Sequence, residues 1–286
     1  MDSIVKSPRM AGVLLMIVSA LVFSSAGIFT NGVSSTAWSI IFWRGLAAAG
    51  FTTAYMLMRG MLRYEIAAFG YPALLASVLM AAGTMAFIPA FKFSSVANVA
   101  IVYSSSPFVA SLMAWLLIGE KPSKAILIAS SIALLGMTLV FYSSASVGGG
   151  LGELLALWMT IMMSATMVVY RKWPETTAAL PAVVASLLLL PFALVFGEPM
   201  QSASQEIPML LVFGLVFAVA SVTLSEGARR LPPAETALLS LLETPLAPVL
   251  AYFILREVPS WEVLVGGVVI LLAVIWSQRR SSIILA

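Results

Sequence analysis

Residues 104–122 read SSSPFVASLMAWLLIGEKP, in which a proline interrupts an apolar run that ends in a glutamate and a second proline. A similar stretch, ETPLAPVLAYFILREVP, occupies residues 243–259. The interrupting prolines are Pro107 and Pro245. The spacing from this proline to the glutamate differs by a single position between the two stretches, and the spacing from that glutamate to the last proline is identical. This correspondence indicates an internal repeat, which constrains the fold more than any single element does.

The composition places the chain in a lipid bilayer. Hydrophobic residues make up 61% and charged residues 9%, with a mean hydropathy of +1.06, whereas soluble domains carry about 25% charged residues. The chain has no cysteine and no histidine, which excludes disulfides, thiolate metal sites and the commonest general base. We therefore expect no metal and no cofactor. We attribute the pI near 9.3 to membrane orientation and not to nucleic-acid binding.

The apolar runs predict an all-α polytopic membrane protein with ten transmembrane helices. Each run is about long enough to cross a hydrocarbon core of roughly 30 Å. Lys6 and Arg9 precede an apolar run of about twenty residues, which we interpret as a first span and not as a cleaved signal. The predicted spans are 11–30, 37–58, 69–91, 95–118, 124–144, 152–170, 177–197, 207–228, 234–255 and 260–278.

The basic residues predict the orientation of these spans. Twelve lysines and arginines fall on one side of the membrane, only Lys92 and Arg256 fall on the other, and Arg44 lies within a span. The positive-inside rule then places both termini in the cytoplasm of a protein of the inner (plasma) membrane. The twelve residues are Lys6, Arg9, Arg59, Arg63, Lys121, Lys124, Arg171, Lys172, Arg229, Arg230, Arg279 and Arg280.

Five spans in each half imply that the second half enters the membrane from the opposite side. We therefore predict two inverted five-helix repeats, at 1–146 and 147–286. One constant offset in numbering superimposes the two interrupting prolines, and a slightly larger offset superimposes Gly12 on Gly152. Inverted repeats are typical of transporters, since two halves that exchange conformations open a central site first to one side and then to the other.

The motif at the end of the fourth span carries a resemblance to a known family. Gly119 to Ser123 read GEKPS, and a glycine-bearing fifth span follows with Gly136. With ten spans and a five-plus-five repeat, the chain resembles the EamA-type exporters of the drug/metabolite transporter superfamily, and most closely the YddG-type amino-acid exporters. In the second copy Val258 replaces the lysine of the motif. The resemblance implies export of amino acids and related metabolites through a central cavity lined by spans one to four and six to nine.

Charged side chains within spans are the first candidates for a substrate site, because each costs about 2.5–3.5 kcal/mol to insert and is expected to face the interior of the bundle. Arg44 could bind a substrate carboxylate as a bidentate donor; the alternative is that it extends to the outer interface. Glu243 could bind a proton or an ammonium group, or stay neutral. Glu235 we place near the cytoplasm, where water would solvate it.

Uncharged polar residues at central depths extend the candidate cavity. These are Ser24, Thr84, Asn98, Tyr103 and Ser164. Serine in a membrane helix also serves simply for packing or bonds to its own backbone. Pro107 and Pro245 each free a carbonyl and predict a kink at which the helix could act as a gate.

Large apolar residues indicate the kind of substrate. Trp43, Trp158 and Met80 lie away from the span ends, so they could line a cavity that accepts varied or apolar amino-acid side chains. The alternative is that they are core residues.

Other functional classes find less support in the sequence. An enzyme would need grouped nucleophiles, bases or metal ligands, and no motif groups them, so we expect a non-enzyme. A phosphate-binding loop is also missing from the sequence. A multidrug or other metabolite exporter of the same fold remains an alternative, as does a channel. Proton exchange through Glu243 and facilitated efflux are both open as energy sources.

Overall fold

The computed structural model describes residues 8–31, 33–94, 96–141, 150–201, 205–256 and 260–283. The predicted boundary between the repeats, at 146/147, and residues 257–259 of the second repeated stretch lie outside these residues. In the described part, the first half of the chain forms α1 (Pro8–Phe23), α2 (Ala26–Asn31), α3 (Ala37–Met58), α4 (Leu62–Ala67), α5 (Tyr71–Phe93), α6 (Val96–Tyr103), α7 (Ser106–Ile118) and α8 (Lys124–Phe141).

The second half is also helical throughout its described residues. It forms α9 (Leu151–Lys172), α10 (Ala179–Phe196), α11 (Ile207–Ala228), α12 (Pro233–Ser240), α13 (Glu243–Leu255) and α14 (Trp261–Ile283), with a 3-10 turn at Pro199–Gln201. The all-α prediction is therefore confirmed for the part of the chain that the structure describes.

Seven helical segments of this described part are long and apolar enough to cross a membrane. Five of them are single helices, and two are the broken pairs α6–α7 and α12–α13. Three shorter apolar helices, at Pro8–Phe23, Tyr71–Phe87 and Lys124–Leu139, coincide with the predicted first, third and fifth spans. The number ten consequently stays a prediction.

Three of the predicted spans are not continuous helices. The first is interrupted at Ser24–Ser25, the fourth at Ser104–Ser105 and the ninth at Leu241–Leu242. Pro107 and Pro245 explain the second and third interruptions, because each lacks the N–H that would bond to the carbonyl four residues earlier.

At two of the interruptions, serine hydroxyls close the end of the preceding helix. Ser24 Oγ donates to the Leu21 carbonyl at 2.6 Å, and Ser104 Oγ donates to the Ile101 carbonyl, also at 2.6 Å. These bonds satisfy carbonyl groups that have no partner within the helix. The interruptions are therefore stable features of the backbone within an apolar environment.

The helices pack as a pseudo-symmetric pair of halves. The contact of α5 with α9 has its counterpart in α11 with α1, and the contact of α3 with α11 has its counterpart in α10 with α5. The pairs α3–α10 and α8–α14 join equivalent helices of the two halves, and α7–α12 joins the fourth span to the equivalent ninth span. The two repeats thus interlock across a shared interface instead of forming separate bundles.

Two equivalent glycines illustrate this internal symmetry at the level of single residues. A Cβ added to Gly12 would lie 2.9 Å from Leu231 Cγ, and one added to Gly152 would lie 2.7 Å from the backbone of Phe93. Gly12 and Gly152 are related by the larger of the two offsets that align the repeats. Their neighbours Leu231 and Phe93 are related by the smaller one. The same helix approach is therefore built twice, and at both places only a glycine permits it.

Carboxylates tie the connections between helices to the bundle. Glu65, in the short helix α4, is buried and accepts a hydrogen bond of 2.9 Å from the Leu180 N–H in the first turn of α10. Glu206, just before α11, accepts bonds from the hydroxyl and N–H groups of Ser34 and Ser35. These bonds lower the pKa of Glu206 to about 2, so the carboxylate is ionised at neutral pH and holds the α2–α3 connection.

The close approach of α3 and α11 at Gly214 gives a prediction about stability. A Cβ on Gly214 of α11 would lie 2.3 Å from Ala47 Cβ and 2.9 Å from the Arg44 carbonyl oxygen, whereas one on Gly50 of α3 meets nothing within 4 Å. We predict that Gly214→Ala forces α3 and α11 apart and costs about 1–3 kcal/mol of stability. Gly50→Ala should be neutral or stabilising by about 0.5–1 kcal/mol, since alanine favours the helix.

Thermal unfolding of the two purified variants, followed by size-exclusion chromatography in one detergent, checks this prediction. Gly214→Ala should lower the melting temperature by several degrees and Gly50→Ala should not. Equal melting temperatures would show that α3 and α11 do not approach as described.

Candidate functional site

Arg44 lies about two turns from the start of α3 and is only 6% exposed. Its guanidinium carbon is 4.1 Å from the centroid of the Phe217 ring and 5.5 Å from that of Phe213. Both rings belong to α11, one turn apart. The side chain therefore points into the bundle and does not extend to the outer interface.

The charge of Arg44 is compensated only in part. No salt bridge joins it to a carboxylate of the described residues, and its buried Nε has no hydrogen-bond partner there. Contact of a desolvated cation with aromatic faces contributes about 2 kcal/mol, which is less than the cost of about 2.5–3.5 kcal/mol for placing arginine within a membrane. The forked donors of the guanidinium thus remain available to an anion.

A small cavity adjoins Arg44 and brings several of the predicted residues together. Its volume is about 20 Å³, and its walls come from α3, α5, α10 and α11. Besides Arg44 it is lined by Ile41, Gly45, Met80, Thr84, Ala182, Ala185, Ser186, Leu189 and Phe217. Because about 10–15 Å³ of such space accommodates one water, the cavity is closed to anything as large as a metabolite in this conformation.

Glu243 and Tyr103 form a second polar group, away from Arg44. Glu243 is half-buried in the first turn of α13, and Tyr103 ends α6 close enough to interact electrostatically with it. The positive end of a helix favours a carboxylate in its first turn. Since α13 packs on α1, α2 and α14, Glu243 is not part of the Arg44 cavity.

Three of the predicted polar residues form structural hydrogen bonds. Asn98 Nδ2 donates to Glu153 Oε1 at 2.8 Å and so ties the start of α6 to the start of α9. Ser164 is fully buried, and its hydroxyl lies 3.4 Å from the Ser106 carbonyl, where α9 meets α7. Ser24 bonds to its own helix, as described above. The structure places none of them at the Arg44 cavity.

The two tryptophans predicted to line the cavity lie elsewhere. Trp43 is partly buried and donates from Nε1 to the Pro199 carbonyl at 2.9 Å, which fixes the connection after α10. Trp158 is 49% exposed and shares the outer stripe of α9 with Leu151 and Leu154. This stripe follows the three- and four-residue spacing of one helix face, so Trp158 lies on the exposed face of α9 and, contrary to the prediction, does not line the Arg44 cavity.

Pro107 and Pro245 lie just after the helix interruptions. Both are buried at the start of the second half-helix, and Pro245 is the closest neighbour of Gly267 on α14. The backbone is thus divided at both sites into two half-helices, and such a division allows one half to move against the other.

Charged residues that the sequence analysis did not assign to a site line a larger cavity, which we call the vestibule. Its volume is about 370 Å³, and it opens at the end of the bundle where α1 begins. Its lining includes Arg9, Ser111, Glu120, Lys121, Pro122, Ser123, Ile126, Arg171, Arg230 and Glu235. The GEKPS motif contributes four of these residues and was the signal in the sequence that could have located it.

Glu235 corrects an expectation. It is 2% exposed and forms a salt bridge with Arg9 instead of being solvated. Arg9 also donates to Gln278 Oε1 at 3.0 Å. The start of α12 is thereby tied to the start of α1 and to the last turns of α14. This pairing could not be inferred from the sequence, because Arg9 and Glu235 are more than two hundred residues apart.

Comparison with protein families agrees with this architecture. The model of the EamA-like transporter family matches twice, over residues 10–142 and 150–278. The chain belongs to the EamA-like transporter family. As a member of this family it is a multi-pass membrane transporter with a two-repeat fold, and the resemblance noted in the sequence is confirmed at this level.

A solved structure shares the fold of this EamA-like transporter. It is described only as "Crystal structure of protein", superimposes with a TM-score of 0.80 at 16% sequence identity, and covers 94% of this chain and 97% of its own. At that identity the likeness concerns the fold alone. No curated protein matches the sequence.

Proposed function

We propose that this EamA-like transporter exports amino acids and related small metabolites, as the YddG-type exporters do, with Arg44 binding the substrate carboxylate. The observation that carries the proposal is the buried guanidinium, which has no carboxylate partner among the described residues and borders a cavity. A guanidinium binds a planar carboxylate through two parallel N–H···O bonds, which make the interaction both strong and specific in direction.

The surroundings of Arg44 suit an amino acid with an apolar side chain. Met80, Leu189 and Phe217 supply apolar surface, whereas Thr84 and Ser186 supply hydroxyl groups. A sugar or a phosphate ester would need several more buried donors or cations. Methionine adapts its shape to different neighbours, which favours a broad range of apolar and aromatic substrates.

Alternating access is the mechanism we propose. A substrate site needs about 300 Å³ or more, so the cavity of about 20 Å³ beside Arg44 has to open before a substrate enters. The vestibule, at about 370 Å³, is already large enough at the other end. Movement of the half-helices that follow Pro107 and Pro245 would connect the two spaces and act as the gate.

For the membrane arrangement we propose ten spans in two inverted repeats, 1–146 and 147–286, with both termini in the cytoplasm of the inner membrane. Under this orientation the vestibule faces the cytoplasm, where an exporter loads its substrate. The supporting observation is the excess of lysine and arginine on that side.

Two alternatives concern the same fold. A multidrug or other metabolite exporter would use the apolar wall of the Arg44 cavity without needing its charge. A channel would need both ends open together, and the closed space beside Arg44 disfavours it.

The role of Arg44 predicts which substrates a variant loses. In proteoliposomes, Arg44→Gln should lower kcat/KM for amino acids by about tenfold or more, which corresponds to a loss of about 1.4 kcal/mol of transition-state stabilisation. The kcat/KM for the corresponding amides, which lack the carboxylate, should fall much less. Arg44→Lys should retain part of the activity, since lysine keeps the positive charge but lacks the paired N–H donors of the guanidinium.

Arg63→Gln, at an exposed arginine, is the matched control and should transport like the wild type. Equal losses for amino acids and amides in a correctly folded Arg44→Gln protein would refute carboxylate recognition.

Proton coupling through Glu243 is our proposal for the energy source, with facilitated efflux as the alternative. It rests on the position of Glu243, an ionisable side chain at the interruption of the ninth span and beside Tyr103, since transporters form their substrate and coupling-ion sites at discontinuous helices. Glu243→Gln should abolish the stimulation of uptake by a pH gradient, and Glu262→Gln, in the first turn of α14, should preserve it. If the pH dependence of uptake were unchanged in Glu243→Gln, proton coupling through Glu243 would be refuted and facilitated efflux would be favoured.

A further inference from the structure

The vestibule is positively charged on balance. Among its described lining residues, four are cationic, namely Arg9, Lys121, Arg171 and Arg230, and Glu120 and Glu235 are the carboxylates. A concave surface with one predominant charge focuses the field and raises the local concentration of ions of the opposite sign. The walls therefore favour an anion.

Both carboxylates of the vestibule are already paired. Arg171 Nε lies 2.9 Å from Glu120 Oε2, and Arg171 Nη2 lies 3.2 Å from Glu120 Oε1, which makes a bidentate pair. Glu235 is paired with Arg9. These two pairs cancel their own charges and leave the remaining two cations to determine the potential.

Lys121 and Arg230 are those remaining cations. Lys121 is exposed, and no salt bridge joins it to a described residue. Arg230 shares the single carboxylate of Glu226 with Arg229, so this cluster keeps a net positive charge. Two cationic groups from different connections, after α7 and after α11, thus line one space.

The start of α8 adds a further positive contribution. Ser123 and Ile126 line the vestibule, and Ser123 Oγ accepts a bond of 3.2 Å from the Ile126 N–H. The first turn of the eighteen-residue helix α8 therefore lies in the wall. The N-terminal end of a helix carries a partial positive charge, which favours an anion nearby.

We infer that the vestibule is a second anion-binding site, which takes the carboxylate or phosphate group of a small soluble anion or of a lipid headgroup through Lys121, Arg230 and the start of α8. It is distinct from the Arg44 cavity. The inference goes beyond the proposed function and does not depend on it, since it would hold even for a protein that carried no amino acid.

Chemical labelling of lysine provides the test, because a bound anion masks the Lys121 amine. The full-length protein is placed in phosphatidylcholine nanodiscs and treated with an acylating reagent, and modification of Lys121 and Lys172 is quantified by peptide mass spectrometry. Lys172, at the end of α9, is the internal control, since it is exposed but neither lines the vestibule nor belongs to α8. Three conditions are tested: inorganic phosphate, citrate, and nanodiscs of phosphatidylglycerol with neither anion added. Each is compared with phosphatidylcholine nanodiscs in chloride at equal ionic strength.

The expected result is that labelling of Lys121 falls about threefold relative to Lys172 at a probe concentration of about twice the Kd. Protection by phosphate or citrate identifies a soluble anion, and protection by phosphatidylglycerol identifies a headgroup. Equal changes at both lysines, or none in any arm, would overturn the inference.

A variant locates the anion within the vestibule. Arg230→Gln should weaken the protection of Lys121, whereas Arg63→Gln, at an exposed arginine that does not line the vestibule, should preserve it. Full protection of Lys121 in Arg230→Gln would place the anion elsewhere and contradict the site.

Discussion

The burial of the Arg44 guanidinium against α11 is the interaction on which the cationic cavity of this transporter depends. Phe213 and Phe217 cover the cation, and Gly214 lies between them in the same helix. Because Gly214 has no side chain, α11 approaches the backbone of Arg44 and Ala47 closely enough to bring both rings over the guanidinium. Packing in the bundle thus creates a cationic site within an apolar wall, where an anion gains most from electrostatic attraction.

The two repeats pack their helices in equivalent ways but carry different charged residues. The offset that aligns the two interrupting prolines also relates Arg44 to Ala182, which lines the same cavity, and relates Ser105 to Glu243. The cation therefore belongs to one half and the central carboxylate to the other. A symmetric scaffold with an asymmetric site suits a carrier, since the halves can exchange conformations while the substrate keeps one orientation.

Much of this arrangement could be predicted because hydropathy, repeats and span depth are properties of the sequence itself. Helical content, the two-repeat family and the joint position of Arg44, Met80 and Thr84 followed from them. The direction in which a side chain points around its helix could not be predicted. Trp158 lies on an exposed stripe and Glu235 is buried against Arg9, because helices from distant parts of the chain determine which face of each helix is covered.

Counterflow of labelled amino acids in proteoliposomes tests the central claim most directly. Vesicles that contain the wild-type protein are preloaded with an unlabelled amino acid, and entry of the labelled one is followed over time. A carrier with an alternately exposed carboxylate site should show saturable uptake with a transient overshoot, because the internal amino acid accelerates the return of the site. Linear flux that preloading does not change would indicate a channel, and the absence of uptake by the folded protein would contradict amino acids as substrates.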